Sequence, residues 1–363
     1  MQEMYGGVHG ARGILAKDDG QEKLSGALQP WAEGDRVLET VRDGDGNIYE
    51  GDVFVDTTGT AGPANMCHKY GNGCAACILR CPVFGGRISL CGLCGVKEFA
   101  AKRRRSGIEE KAADIQNRSL IHGDFFDCAS ESADYGAMSG SCKLMKGSLS
   151  EDIIRRLDKE GVAIIPVPEH VRENHLDLKA CQQYALPEYA GNMVLLDTGH
   201  AKLMTPYFPL DKLRQVPGFE NARYEDPYAG GEGNSVRFTA MVYREDSMKV
   251  RGLANVFCAG EKCGSFVGHT EAIVTGTLAG YNAVRQAAGK ALLVLPETLA
   301  CGDAIHWAGE QMMTDEGKQY KYTFSGSVLF DRMRDKNLYT TDTRKIRDRV
   351  CACGMENVFA IVG

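Results

Sequence analysis

The sequence predicts an α/β fold, and three segments with recognisable strands and helices support this prediction. Residues 36–58 read as a strand, an Asp-Gly turn and a second strand. Residues 148–167 begin with the capping-box spacing of Ser148 and Glu151, continue as a helix with one apolar face, and end in the short apolar strand VAIIPV. Residues 252–285 read as an apolar strand, a glycine-containing turn and a helix.

The composition is that of an ordinary soluble globular protein. The chain has 363 residues, of which 44% are apolar and 25% are charged, and this length suits two or three domains. The longest purely apolar run, ALLVL at 291–295, is far shorter than a membrane-spanning helix, and the first residues do not read as a secretory signal. We therefore expect a cytoplasmic protein that has no membrane partner.

The charge distribution disfavours a general attraction to polyanions. The formal net charge is −6, so a nucleic acid would have to bind at a local basic patch. The densest basic run is Lys102–Arg105, which is most simply explained as a solvated face. Nucleic-acid binding is therefore not expected from charge, although it is not excluded.

The first half of the chain contains an irregular region between more regular elements. The second predicted strand ends in Thr58-Gly59-Thr60. Residues 63–96 contain too many cysteines, glycines and prolines for a long regular element, so they predict a ligand-bearing loop region. A polar helix is predicted at about 97–118, and a loop-rich cap at 186–235, where Pro and Gly recur.

The segment with the clearest chemistry is 252–285. An apolar strand is predicted at Val256–Ala259, followed by the turn Gly260-Glu261 and by a helix that starts at Thr270-Glu271. At such a junction the free backbone N–H groups and the positive end of the helix face one point, which favours phosphate binding. The alternative is an ordinary strand-to-helix crossover whose small residues serve packing only. The pattern alone supports both interpretations equally.

Four segments resemble flavoproteins. Residues 252–285 are similar to the carboxy-terminal flavin-binding signature of the glucose-inhibited division protein A family and of its sister family, the folate-dependent flavoprotein tRNA uracil methyltransferases. GKALLVLPETLACGDAIHW at 289–307 is similar to the run that follows this helix in the methyltransferases. LRQVPGFENARYEDPYAGG at 213–231 is similar to the segment that both families place before their last FAD-contacting strand. TTGT at 57–60 resembles a strand-end motif of two-dinucleotide-binding flavoproteins.

This resemblance implies an FAD-binding, Rossmann-like fold of the two-dinucleotide-binding flavoprotein type. Glu261 would meet the ribityl chain, and the backbone around His269 and Thr270 would face the FAD pyrophosphate or the flavin edge. His269 is also the candidate for a proton-transfer role. The residues implied to bind the cofactor are Thr58, Gly59, Thr60, Gly260, Glu261, Lys262, Gly268, His269, Thr270 and Glu271.

One feature of these flavoproteins has no clear counterpart in the sequence. They begin with a strand and a Gly-x-Gly-x-x-Gly turn that grips the pyrophosphate, whereas Gly71-Asn72-Gly73 matches only loosely and follows no predicted strand. We therefore expect an N-terminally truncated FAD-binding fold, or a subunit whose partner supplies this fingerprint. The expected domains are 1–62 (β-meander part of the FAD-binding domain), 63–235 (cysteine-rich insertion and α+β cap), 236–310 (C-terminal part of the FAD-binding domain) and 311–363 (C-terminal extension).

The cysteines are concentrated in one block. Six of the 14 lie within 28 residues, namely Cys67, Cys74, Cys77, Cys81, Cys91 and Cys94. The spacing of Cys74, Cys77 and Cys81, with Pro82 after it, is similar to the end of a bacterial ferredoxin run. The pairs Cys74/Cys77 and Cys91/Cys94 are instead close to a four-thiolate zinc clip. The Cys-Pro ending and the implied flavin favour an iron–sulfur cluster over zinc or metal-free thiols.

These observations predict an FAD-dependent oxidoreductase in which a cysteine-ligated iron–sulfur cluster passes electrons to or from the flavin. A small-molecule or protein electron donor is implied, and the substrate is open. Two alternatives belong to other classes. One is a non-catalytic, zinc-binding subunit of a flavoprotein complex, and the other is a tRNA-modifying flavoprotein.

Overall fold

The described part of the molecule combines four small sheets with a helical C-terminal segment. The structure is a computed structural model and describes residues 13–17, 36–42, 47–58, 90–99, 137–138, 140–177, 179–182, 185, 187–206, 208–225, 236–237 and 241–360. The strands are β1 (Gly13–Lys17), β2 (Val37–Arg42), β3 (Ile48–Glu50), β4 (Phe54–Asp56), β5 (Ala137–Met138), β6 (Cys142–Leu144), β7 (Val162–Pro166), β8 (Asn192–Asp197), β9 (Ala201–Leu203), β10 (Val236–Arg237) and β11 (Val256–Cys258). The helices are α1 (Leu90–Leu93), α2 (Glu151–Glu160), α3 (Pro187–Ala190), α4 (Leu210–Leu213), α5 (His269–Ala287), α6 (Ala300–Gln311), α7 (Ser327–Asp335) and α8 (Thr343–Ala352).

The region predicted as strand, turn and strand contains one more break than expected. β1, β2 and β3 form an antiparallel sheet, whereas β4 leaves that sheet and pairs in parallel with β11. The predicted second strand is therefore two strands, because Gly51 and Asp52, which have low strand propensity, interrupt it. The side-chain amide of Asn255 donates to the carbonyls of Leu38 (2.7 Å) and Asp52 (2.9 Å) and so joins the two sheets.

A separate antiparallel sheet of order β6-β9-β8-β7 lies in the middle of the chain. It has its own buried cluster of apolar side chains from residues 142–224, and α2 packs on β7 and β8. The prediction of a loop-rich cap at 186–235 was wrong in part, because β8 and β9 lie there. Their short apolar runs stand between turn residues, which obscured them. β7 is an edge strand in which Ala163 and Ile165 are buried, whereas Ile164 is 44% exposed.

The predicted helix after residue 148 is present as α2. Its N-cap is Ser150, whose side chain accepts the N–H of Ile153, and not the Ser148 expected from the capping-box spacing. Ser148 instead accepts the N–H of Arg223 (3.0 Å) and so ties the residues before α2 to the segment around Arg223. Gly161 ends the helix in the left-handed conformation (φ 72°).

The C-terminal helices are fixed to the core by a buried carboxylate. Asp303 on α6 is fully buried and accepts two hydrogen bonds from the Arg332 guanidinium (2.8 and 2.9 Å) and one from Lys336 (2.5 Å). Burial alone would raise the pKa of Asp303, but these two cations hold it below its usual value. Arg332 also lies over the Trp307 ring (4.8 Å to the centroid). The pairing of α6 with α7 follows from these contacts.

Several earlier expectations fall partly or wholly outside the described residues. The polar helix expected at 97–118 is described only at 97–99, where Phe99 forms a bridge with Met241. Lys102–Arg105, Gly59 and Thr60 are outside as well. Among the described residues, no helix has both the length and the apolarity that a bilayer crossing requires. The division of the chain at 62, 235 and 310 stays a prediction.

Candidate functional site

The candidate site lies where the parallel strands β4 and β11 end. Cys258 pairs with Asp56, and the next N–H, from Ala259, donates to the Asp56 carbonyl (3.2 Å). Because parallel strands end at the same edge, the turn after β11 and the residues after β4 are brought together there. A single-turn 3-10 helix follows at Gly260–Cys263, and α5 begins six residues later. The predicted strand, glycine turn and helix are thus confirmed.

The first turn of α5 faces outwards. Gly268, His269 and Thr270 are exposed, and the first intrahelical hydrogen bond runs from the Ala272 N–H to the Gly268 carbonyl (3.1 Å). The N–H groups of His269 and Thr270 precede this bond, and they sit at the positive end of a 19-residue helix. This arrangement can bind an anionic or electron-rich group through backbone donors.

Gly268 is required for this geometry. Its backbone (φ 126°, ψ 163°) lies in a region that only glycine adopts without strain. A Cβ added to Gly268 would overlap the Glu271 carboxylate. That carboxylate is buried and accepts the Phe324 N–H (2.6 Å), so it cannot easily move away. Glu271 therefore anchors the first turn of α5 from inside.

The side chains of Glu261 and Lys262 both form ion pairs with other residues of the protein. The Glu261 carboxylate is bound by Lys321 (2.9 Å), so its predicted contact with a ribityl chain would have to share it with Lys321. Lys262 is fully buried, and its ammonium contacts Glu98 and lies 3.8 Å from Asp56. The Lys262 side chain is thus part of the core beneath the site, and only its backbone borders the turn.

Lys262, Asp56 and Glu98 form a buried charge cluster. Burial alone would lower the pKa of Lys262, but the carboxylates of Asp56 and Glu98 hold it above its usual value. Burial alone would raise the pKa of Asp56, but the Lys262 ammonium and hydrogen bonds from Thr58 and Cys91 hold it below its usual value. The Thr58 hydroxyl donates to Asp56 (2.6 Å), so its role is to orient this carboxylate.

The sequence did not reveal three residues that shape the turn. Arg244 is buried and donates to the carbonyls of Cys263 (2.9 Å) and Ile305 (2.6 Å), which ties the turn to α6. Thr275 accepts the Gly260 N–H (2.9 Å), which means that this predicted ligand-binding donor is used within the protein. Asn255 joins β2 to Asp52, two residues before β4. Ordinary polar residues of this kind carry no sequence signal when their partners are distant in the chain.

The cysteine block is described only at Cys91 and Cys94; Cys67, Cys74, Cys77 and Cys81 lie outside the described residues. Within the part of the chain that the structure describes, no group of three or more His, Cys, Asp or Glu side chains is arranged to hold a metal ion. Burial, with Asp56 nearby, raises the pKa of Cys91 well above its usual value, and burial raises that of Cys94 to about 11. The iron–sulfur and zinc interpretations both stay predictions.

The two cysteines that flank the turn are packed in the core. Cys258 and Cys263 are fully buried, whereas Cys351 on α8 is exposed. Burial raises the pKa of Cys258 and of Cys263, which makes their thiolates scarce at neutral pH. We expect iodoacetamide to modify Cys351 at least about 100-fold faster than Cys258 or Cys263 in the folded protein. Peptide mapping by mass spectrometry checks this, with urea-unfolded protein as the control in which all three react at similar rates.

Comparison with known proteins places a family match on this site. Residues 197–291 match the family model "Glucose inhibited division protein A". The methylenetetrahydrofolate--tRNA-(uracil-5-)-methyltransferase TrmFO of Streptococcus sanguinis (strain SK36) is 34% identical over 94 residues, which are 26% of this chain and 20% of that protein. The resemblance stated from the sequence is confirmed, and the matched range contains Gly260–Glu271. Thr58 and the cysteine block lie outside it.

Two solved structures of Aquifex aeolicus GidA, in crystal forms II and I, are also similar to this chain. Their TM-scores are 0.44 and 0.40 at 13% and 12% identity, and the alignments cover 94% of this chain in both cases. They cover 56% and 59% of the GidA chains. The chain therefore spans less than two thirds of the length of the relatives it matches. The mixture of helices and strands agrees with the predicted α/β class.

Proposed function

We propose that this chain forms part of an FAD-binding flavoprotein that modifies tRNA. The observation that carries the proposal is the exposed first turn of α5, a helix that packs against β4 and β11 and whose first turn lies within the family-matched range. Of the functions that the sequence left open, the tRNA-modifying alternative is better supported than electron transfer through an iron–sulfur cluster, because the matched relative is named as a tRNA methyltransferase. Cluster, zinc, electron donor and partner subunit stay predictions.

The residues present at the first turn of α5 fit an FAD group. Gly268 has no Cβ that would displace the buried Glu271 carboxylate, so the first turn of α5 keeps its backbone N–H groups in place at the surface. The N–H groups of His269 and Thr270 would hold the pyrophosphate or the carbonyl edge of the flavin, both of which are electron-rich. FAD supplies hydride and electron transfer when bound.

In this proposal most of the remaining residues of the site hold its backbone elements in place. The charge cluster of Lys262, Asp56 and Glu98 holds the end of β4 against the turn at Gly260–Cys263. Glu271 fixes the direction in which α5 begins, because it is bonded to the Phe324 backbone. His269 is exposed at the first position of α5, where its imidazole is available to hold or move a proton. A catalytic role for His269 stays a prediction.

The test is FAD binding by the purified chain and by a variant with an added charge at α5. Thr270→Asp puts a carboxylate in the first turn, where it favours the helix but repels the phosphates of FAD. We expect the FAD dissociation constant to rise about tenfold or more, as measured by flavin fluorescence titration. Thr277→Asp is the matched control, since Thr277 is exposed two turns further along α5, and its FAD affinity should stay within about twofold of the wild-type value.

A second measurement addresses the tRNA part of the proposal. Transfer of a labelled one-carbon unit from methylenetetrahydrofolate to uracil of unmodified tRNA is measured with added FAD and with NADPH as reductant, because conversion of the methylene unit to a methyl group takes up two electrons. Incorporation that depends on FAD and falls in Thr270→Asp supports the proposal. If the chain binds FAD but does not modify tRNA, the tRNA part of the proposal is wrong and the chain belongs to a flavoprotein with another activity. Absence of FAD binding at concentrations of about 100 μM, well above common cofactor affinities, would contradict the cofactor site itself.

A further inference from the structure

Helix α8 differs in charge from the rest of the chain. It carries the basic residues Arg344, Lys345, Arg347 and Arg349 and the single acidic residue Asp348, whereas the whole chain has a formal net charge of −6. Every side chain of this ten-residue helix is exposed or half-buried. The α8 sequence therefore does not serve core packing, and its charge is displayed to solvent.

One contact decides which side of α8 faces the protein. The Arg349 guanidinium donates to the carbonyls of Leu338 (2.8 Å) and Asn337 (3.0 Å) in the connection that precedes α8. Successive residues of an α-helix are rotated by about 100°, so Arg344 and Arg347 lie within about 40° of the side opposite Arg349. Arg344 is 90% exposed. The outward side of α8, defined here as Arg344 and Arg347 and called the basic face, is thus turned away from the Asn337–Leu338 connection, and both residues are exposed within the part of the chain that the structure describes.

Another exposed helix, α2, carries two arginines that are paired with an acidic residue of the same helix. On α2, Arg155 and Arg156 both contact Asp152, at 3.5 and 2.9 Å, and α2 as a whole carries more acidic than basic residues. On α8, the acidic neighbour of Arg344 is Asp342 at 3.7 Å, and the Asp342 carboxylate already accepts the Arg344 backbone N–H as the N-cap. The basic face therefore keeps an excess of positive charge that α2 does not have.

We propose that the basic face of α8 contacts the phosphate backbone of RNA. This inference rests on the proposed function, in which the substrate is a tRNA. Guanidinium groups bind phosphate oxygens with two parallel hydrogen bonds, and two of them about one helical turn apart can contact neighbouring phosphates. Charge complementarity selects a polyanion, since the rest of an acidic chain repels it and this face attracts it.

The experiment measures binding of a fluorescently labelled tRNA transcript to the full chain by anisotropy between 50 and 300 mM KCl. For Arg344→Glu/Arg347→Glu we expect affinity about tenfold or more weaker than wild type at 100 mM KCl, and a plot of log affinity against log salt that is shallower by about one to two. Arg155→Glu/Arg156→Glu on α2 is the matched control, with the same charge change on exposed residues, and should stay within about twofold of wild type. Circular dichroism verifies that both variants are folded.

Each outcome separates this inference from the proposed function. If the wild-type chain binds tRNA with a salt-dependent affinity and the α8 variant binds equally well, the inference is wrong while the proposed function stands. If the wild-type chain does not bind tRNA, the tRNA part of the proposed function fails and the inference fails with it. If the α8 variant changes only the sedimentation coefficient of the protein, α8 is a contact between copies of this chain, and the RNA inference is overturned.

Discussion

Lys262→Met is expected to lower the free energy of unfolding by about 3–5 kcal/mol, because it removes one partner of a buried ion cluster and leaves the others uncompensated. Asp56 and Glu98 are 1% and 4% exposed, so water cannot replace the lost ammonium. Methionine has a similar length and keeps the packing, so the loss reports charge and not volume. Urea denaturation followed by circular dichroism measures the difference.

The pH dependence of the stability shows whether the effect of Lys262→Met comes from lost charge or from altered packing. In the wild-type protein the pKa of Asp56 is held below its usual 3.8, so its contribution to stability is present above that value and is lost as the pH falls below it. In Lys262→Met the Asp56 carboxylate stays buried without its cation, so burial raises its pKa and the folded variant takes up a proton as the pH falls. We therefore expect the difference in free energy of unfolding between the wild-type protein and Lys262→Met to become smaller as the pH is lowered from 7 to 4.

The control for Lys262→Met is a lysine of the same ion-pair type at the surface. Lys212 pairs with Glu173, and their side chains are 38% and 30% exposed. Lys212→Met should cost no more than about 1 kcal/mol, since water screens a pair of this kind. A loss below 1 kcal/mol in Lys262→Met, or a loss that does not change with pH, would show that the cluster does not stabilise the site electrostatically.

The charge cluster illustrates what sequence reasoning could not predict about the site. The strand, turn and helix around Gly260 were predictable because apolar runs, glycines and helix-start residues are local signals. Lys262 looks like any surface lysine in that turn, and it becomes a core residue only because Glu98, 164 positions away, packs against it. The same holds for Arg244, whose acceptors lie on the turn and on α6. Local sequence patterns were sufficient to locate the site. Contacts between residues far apart in the chain determine which side chains of the site are buried and which are exposed.

Strand boundaries show a similar limit. The run that ends in Asp56 was predicted as one strand, but its two halves pair with different partners, β2 and β11. Strand pairing depends on residues far away in the chain, so a single apolar run can serve two sheets. β8 and β9 were missed within 186–235 because turn residues dominate that range. Helix α2 was predicted well, since its apolar face and Gly161 are contained in one short segment.

Gly268→Ala is expected to weaken FAD binding by about tenfold or more while the protein stays folded. The backbone at Gly268 (φ 126°, ψ 163°) costs about 1–3 kcal/mol for any other residue, which corresponds to about 5–150-fold in an equilibrium constant. The added Cβ would also displace Glu271, whose carboxylate holds the Phe324 N–H at 2.6 Å. The first turn of α5 must therefore shift, and its N–H groups lose their alignment towards the cofactor.

Gly289→Ala is the matched control for this effect. Gly289 also has a positive φ (66°), lies just beyond the far end of α5, and has open space where a Cβ would be added. Both variants strain one backbone position of the same helix region, but only Gly268 borders the proposed site. Flavin fluorescence titration and urea denaturation of both proteins separate binding from stability. If FAD affinity falls equally in both variants, backbone strain alone explains the loss, and the first turn of α5 does not hold the cofactor. If it falls in neither variant, the geometry at Gly268 is not needed for FAD binding, and the same conclusion follows.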